Sequence, residues 1–348
     1  MPGYVPAARN KFQHKDPKKP QYSPHSWSKP VYGQKVQFVK EDPNSPLLRG
    51  KDIVCVQSIS GTFLYYARAV DPTMLVALNE ISTSQSAPTQ ETMKKCDQLL
   101  DYAATYPNAT IRYHASDMIL ITDADAAYLV LPKSRSRVAA NLYFTTRMPD
   151  YAKGTPTPNG PILTTCETLR NVVSSAAEAE TGGTFKCVQH VIPIKRILEN
   201  VFHHPQPTKG SPVITDNLTS QGILTKLIKP RKSKTWDMRY HWLEDRIAQK
   251  QIDLIWKPGK YNWADYFTKH FPAAYHRIMR SKYLLNQLTA LANDCAPSSP
   301  ARVCYKSPPS PTRTNHRQTL PADDVRLLDN AQMAVLHRFI RIANNVAH

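Results

Sequence analysis

Four acidic residues, each in a different local setting, are the part of this chain best equipped for chemistry. Asp123 closes the apolar run Met-Ile-Leu-Ile-Thr (118–122), and Glu180 ends Ser-Ser-Ala-Ala-Glu-Ala-Glu (174–180). Asp216 closes Pro-Val-Ile-Thr-Asp (212–216), and Asp265 lies in Asn-Trp-Ala-Asp-Tyr-Phe-Thr-Lys (262–269). A carboxylate at the end of a buried strand is costly unless a cation meets it. Four that converge would make a socket for two Mg2+ ions. Held about 4 Å apart, two such ions clamp the attacking and leaving oxygens of a phosphodiester displacement.

Taken singly, each residue has a plainer reading. Asp123 shares the face of Ile119 and Ile121 at period two, and Asp125 joins it if the strand continues. Either could instead be a turn-forming Asp at a strand end. Glu178 and Glu180 diverge by about 200° on a helix, so both cannot point inward. Val173, Ala177, Thr184, Cys187 and Val191 fall on the side of Glu180, which is therefore the embedded one, with Glu178 solvated. Gly182-Gly183 weakens that helix by roughly 1 kcal/mol per residue, which close approach of another backbone would explain. Asp216 sits where ligands bind in open sheets, but it could equally cap the next helix. Asp265 could serve only the dipole of its own helix start. Asp237 and His241, four apart, can share a ligand, although a surface pair is the commoner meaning of that spacing.

Charge points to a polyanionic partner. The 348 residues carry 45 Lys and Arg against 27 Asp and Glu, a net +18. Lys226, Lys229, Arg231, Lys232 and Lys234 form a basic run that reads as a phosphate-contacting edge. Trp236, Tyr240, Trp242, Trp256 and Trp263 interleave with charges there and beyond; most belong to a core, and one or two could stack on sugar or base. No apolar run reaches membrane-spanning length, and the N-terminus lacks the apolar stretch of a signal peptide. Six scattered cysteines without a Cys-x-x-Cys spacing exclude the common zinc motifs and point to reduced thiols.

These residues need elements to position them. Residues 1–48, rich in proline and basic residues, read as an extended segment. Apolar residues at helical spacing then predict a small all-α module over 49–109. Over 110–286, candidate strands at 110–114, 117–123, 137–146, 161–168, 212–216 and 252–257 alternate with candidate helices. The helices fall at 174–190, 194–202, 217–227, 236–249 and 273–286, so the class is α/β, a mixed sheet with helices on its faces. Residues 287–320 read as a disordered linker and 321–348 as an amphipathic helix.

At these residues the chain resembles the C-terminal part of copia-type LTR retrotransposon polyproteins. The matching motifs are Ser-Asp-Met-Ile-Leu-Ile-Thr-Asp-Ala-Asp (116–125), Lys-Ser-Arg-Ser-Arg (133–137), Ser-Ala-Ala-Glu-Ala-Glu (175–180) and Ile-Thr-Asp-Asn (214–217). Asp-Met-Arg-Tyr-His-Trp-Leu (237–243) and Asn-Trp-Ala-Asp-Tyr-Phe-Thr-Lys (262–269) complete the set. Residues 57–73 are similar to the segment joining reverse transcriptase to ribonuclease H, which makes 49–109 a thumb or connection remnant, and Met-Pro-Gly-Tyr-Val (1–5) resembles the stretch just after the polymerase palm.

The resemblance implies a ribonuclease-H-like sheet in which Asp123, Glu180, Asp216 and Asp265 bind two Mg2+ or Mn2+ ions. The implied reaction is hydrolysis of the RNA strand of an RNA–DNA hybrid by a metal-activated water. Its implied partners are the hybrid and the polymerase domain of the same element, with no membrane and no small-molecule cofactor. The implied setting is the cytoplasm or a virus-like particle, with nuclear entry open. Tyr-x-Asp-Asp occurs nowhere, so the expectation is a C-terminal piece without a polymerase site. A catalytically dead relic that binds nucleic acid through its basic surface is the alternative. A related two-metal nuclease or transposase fits less well, because its sheet usually carries three carboxylates.

Overall fold

Helical periodicity organises the first part of the chain. The structure, a computed structural model, describes residues 1–28, 44–228 and 237–285. Tyr4–Lys11 forms helix α1, where an extended segment was expected. Pro6 falls in its first turn, where a missing N–H costs nothing. Val5 and Ala8, three apart, bury against the helical core, and the Tyr4 ring stacks on Tyr66 at 5.3 Å. Helices α2 (Lys51–Ala69), α3 (Leu75–Ser84) and α4 (Gln90–Thr105) supply the rest of that core, including Ile59, Phe63, Leu78, Ile81, Leu99 and Tyr102. Thr89 caps α4 reciprocally with Thr92.

The segment expected to be a strand at 110–114 is irregular. The first strand, β1, runs Ile119–Leu131, well past the expected end at 123. A tight turn with Lys133 and Ser134 at positive φ returns the chain as β2 (Arg135–Thr145), antiparallel to β1. Strand β3 (Pro161–Thr168) continues the antiparallel run. Helix α5 (Ala176–Asn200) follows as one helix where two were expected, because it continues through Pro193. Strands β4 (Ser211–Thr215) and β5 (Ile252–Trp256) lie parallel to β1, giving the order β3-β2-β1-β4-β5. Helices α6 (Leu218–Leu224), α7 (Asp237–Ala248) and α8 (Ala273–Tyr283) complete the unit. This mixed sheet flanked by helices is the ribonuclease-H-like class expected. Among the described residues no helix is long and apolar enough to cross a membrane. The expected linker at 287–320 and helix at 321–348 lie outside the described residues.

The glycine pair of α5 has the reason anticipated. A Cβ on Gly183 would stand 3.3 Å from Val138 and 3.4 Å from the Asp125 carbonyl oxygen, so the helix presses against β1 and β2 there. Glu178, expected to be solvated, is buried. Its Oε2 accepts from the Ser174 N–H (2.8 Å) and hydroxyl (2.7 Å), which ties down the entry to the helix.

Side chains stitch the helical module to the sheet. Buried Arg280 of α8 donates to Asp71 (2.7 Å), Thr73 (2.9 Å) and Tyr102 (3.0 Å). Arg137 of β2 donates to Asn79 of α3 (3.0 Å) and to the Thr268 carbonyl (3.2 Å). His25 packs ring against ring on His270 (4.2 Å) and His276 (4.8 Å). Burial pushes these imidazoles down to about 3, 4 and 3, so all three are neutral at ordinary pH.

Candidate metal centre

Strand register decides which carboxylates meet. In the parallel pair of β1 and β4, Asp123 lies opposite Ile214. Two residues further along both strands, Asp125 is level with Asp216 at the carboxyl end of β4. Helix α5 brings Glu180 to the same spot, where Glu180 Oε1 accepts from the Ala126 N–H at 3.2 Å. Asp125, Glu180 and Asp216 each offer an oxygen within 4.8 Å of the other two. This is the one such group of three or more His, Cys, Asp or Glu among the described residues.

Of the four carboxylates expected to converge, the structure therefore brings together Glu180 and Asp216, with Asp125 in the position expected of Asp123. The reason is the length of β1: it does not end at 123, so the residue at the edge of the sheet is two positions later. Asp123 is fully buried, and neither oxygen has a hydrogen-bond partner of ordinary geometry. Burial pushes its carboxyl well above the usual range, with the Tyr143 hydroxyl, the Trp263 N–H and the Lys257 ammonium opposing. Such a group belongs to the apolar layer of Ile119, Ile121 and Tyr143.

Asp265 adjoins the trio without belonging to it. Its Oδ1 accepts from the Lys269 ammonium, and its charge is felt by both Asp125 and Asp216. The loop carrying it is fastened to β1 by buried Asn262, which donates to the Ala124 carbonyl at 2.8 Å and accepts from the Ala264 N–H at 3.0 Å. The Thr268 hydroxyl donates to Asp125 Oδ2. On the other side, the Trp256 indole N–H donates to the Asp216 carbonyl at 2.9 Å.

The electrostatics of the trio are those of a site that wants a cation. Burial pushes Asp125 up to about 6; Lys269 opposes the rise and the Asp265 and Asp216 charges add to it. Burial, then Asp125 and Asp216, pushes Glu180 well above the usual range. Glu180 Oε2 is buried and has no hydrogen-bond partner. Oxygen-only donors suit a hard ion such as Mg2+ or Mn2+ over softer metals. Hard cations hold oxygens at about 2.0–2.6 Å, so one ion can reach all three residues. The side chains present therefore fit a divalent cation.

Two predictions arise here. A Cβ on Gly259 would stand 2.8 Å from Asp216 Oδ2, with nothing but Asp216 atoms within 4 Å. Gly259→Ala is expected to leave the melting temperature nearly unchanged while weakening Mn2+ binding by about tenfold or more, as perturbed ligand orientation does. Calorimetric titration of both proteins checks it. The second concerns protons. Ligands must be deprotonated to bind, so cation affinity is expected to hold above pH 7 and to fall as pH drops through about 6, where Asp125 takes up its proton. Each proton displaced costs about tenfold in affinity per pH unit. Titrations from pH 5 to 8, in buffers of different ionisation enthalpy, measure both the loss and the proton release.

The basic run is only partly described. Lys226 is exposed and pairs with Glu244 at 2.5 Å, so it is not the free phosphate-seeking side chain expected. Lys229, Arg231, Lys232 and Lys234 lie outside the described residues. His241 pairs with Glu244 at 3.3 Å, which leaves it on the surface and away from the trio. Sequence reasoning missed Thr268, Lys269 and Asn262 as parts of the site. Their signal was the motif at 262–269, whose polar residues were read only as company for Asp265.

The sequence matches no family model and no curated protein. Several solved structures are similar to it. One is the N-terminal RNase H domain of a Mycobacterium tuberculosis protein, solved as a fusion with maltose-binding protein. It shows 11% identity and a TM-score of 0.30, over 51% of this chain and 99% of that one. LC11-RNase H1 in complex with an RNA/DNA hybrid shows 8% identity and a TM-score of 0.30, over 42% of this chain and 91% of that one. A foamy viral protease-reverse transcriptase in complex with an RNA/DNA hybrid shows 12% identity and a TM-score of 0.37. That alignment takes in 74% of this chain but only 28% of the viral protein.

Proposed function

We propose that this chain is a retroelement ribonuclease H of the copia type, hydrolysing the RNA strand of RNA–DNA hybrids with Mg2+ or Mn2+. The carrying observation is the trio of Asp125, Glu180 and Asp216, drawn from a strand, a helix and a second strand, with a buried Glu180 oxygen left unmet. The ordered motifs of the sequence support the same reading, and so does the +18 charge, which favours a polyanionic substrate. A divalent cation bound there supplies Lewis-acid stabilisation of the phosphoryl oxygens and activation of water.

The chain's own residues do the rest. Asp125, Glu180 and Asp216 hold the cation, Asp265 completes the acidic rim, and Thr268 and the Trp256 indole fix the orientation of Asp125 and the Asp216 backbone. Lys229, Arg231, Lys232 and Lys234, and Lys226 once released from Glu244, are proposed to contact backbone phosphates. Within the element, the polymerase domain is the proposed partner, and the cytoplasm or a virus-like particle the proposed setting.

The test is cleavage of an end-labelled RNA–DNA hybrid by the purified full chain. Mg2+-dependent scission of the RNA strand is expected, stopped by chelation and by Asp216→Asn. Equal cleavage by the variant and the parent would refute the reading. Salt-sensitive hybrid binding without scission in any metal would identify a relic instead.

A further inference from the structure

Lys269 is the last residue of the motif that carries Asp265, and the trio alone does not explain its place. Its ammonium donates to Asp265 Oδ1 four residues back. Its neighbour Thr268 donates to Asp125, so the backbone that bears Lys269 is fastened to the trio. The positive charge of Lys269 is felt by Asp125, Glu180 and Asp216 as well as by Asp265. The demand for positive charge is thus unequal across the site. At Asp265 it is met by an ammonium in contact. At Glu180 it is unmet, since the buried Oε2 has no partner.

A divalent ion arriving at Asp265 would have to displace the ammonium or sit beside it. The first breaks a charge-assisted hydrogen bond, and the second sets two cations against each other where water screens them incompletely. An ion arriving among Asp125, Glu180 and Asp216 meets neither obstacle.

We propose that Lys269 is a resident cation at the Asp265 half of the centre, so that the chain without substrate takes up one divalent ion, on the trio, and admits a second only when Lys269 leaves Asp265. The role rests on the metal-centre reading above and assigns Lys269 as a positioning residue that sets ion stoichiometry. An incoming phosphate, being anionic, is the natural competitor for the ammonium, and substrate arrival would then complete the ion pair of the centre.

Mn2+ binding to the full chain tests this without any appeal to cleavage. Free Mn2+ is followed by electron paramagnetic resonance and heats by calorimetry, at pH 7.5 and moderate salt. The parent is expected to bind one ion, and Lys269→Arg, which keeps the charge, also one. Lys269→Met is expected to bind a second ion at least about tenfold more tightly than the parent does, because the competing charge is gone. Lys269→Gln, a second neutral variant, is expected to match it, so that a folding defect peculiar to Met does not decide the result. Two ions bound alike by the parent and the neutral variants would remove the role of Lys269 and leave the metal centre standing. One ion in every variant at equal affinity would do the same. No binding to any variant would remove the metal centre itself, and this inference with it.

Discussion

Asp125→Asn is expected to abolish Mn2+ binding and to lower hybrid cleavage by at least about a hundredfold, whereas Asp123→Asn is expected to leave cation binding intact. The contrast follows from register. Asp125 is level with Asp216 and within reach of Glu180, and Asp123 lies one step back, in an apolar layer. A cation that stabilises transition-state charge contributes several kcal/mol, and each 1.36 kcal/mol is a factor of ten in rate. Loss of one of three ligands therefore has a large effect on rate. Asp123, held towards its protonated form by burial, is close in shape and charge to Asn. Its replacement is expected to register in stability alone. Calorimetry with Mn2+ and a hybrid-cleavage assay on both variants decide the matter. Loss of cation binding in folded Asp123→Asn, with Asp125→Asn unaffected, would reverse the assignment.

Arg280→Met is expected to cost about 3–5 kcal/mol of stability, the usual result of leaving a buried charge unpaired. Asp71, the residue left behind, has no exposed surface and takes its ionic partner from Arg280 alone among the described residues. Thr73 and Tyr102 lose a donor at the same time, and the Tyr106 ring loses the guanidinium 4.1 Å from its centre. Domains of this kind have about 5–15 kcal/mol in total, so the change would consume a large share. The double variant Asp71→Asn/Arg280→Met is expected to be more stable than Arg280→Met, because no orphan charge remains. Urea denaturation followed by far-ultraviolet circular dichroism measures both. A shift in midpoint worth less than about 1 kcal/mol in the single variant would show that water reaches Asp71 after all.

Much of the scaffold can be read from residue patterns. The helical spacing of Ile59, Phe63 and Tyr66 and the alternation through Ile119 and Ile121 are local signals of period, and both elements are present. The glycine pair in α5 signalled a close approach, and β1 and β2 make it. What the sequence could not convey was register. Thr-Asp at 122–123 and Thr-Asp at 215–216 look equivalent as text, but the sheet sets Asp123 against Ile214. Register depends on how strands slide past one another, and a two-residue difference keeps every side chain on its face, so alternation gives no warning. The extended reading of the first residues failed for another reason. Prolines there suggested no regular structure, although one of them sits where a helix tolerates it and two small apolar residues are enough to dock a short helix.

The contacts between α3, α8 and β2 bear on how this polypeptide could be divided. A cut near residue 109 would keep all the acidic side chains on one fragment. It would also take Asn79 away from Arg137, and it is from Arg137 that the Thr268 carbonyl hangs, one atom group from the hydroxyl that steadies Asp125. The excised sheet would own its ligands but not the bracket that aims them. A portable version of the centre has to start within the first dozen residues, where Val5 and Ala8 plug the helical half shut.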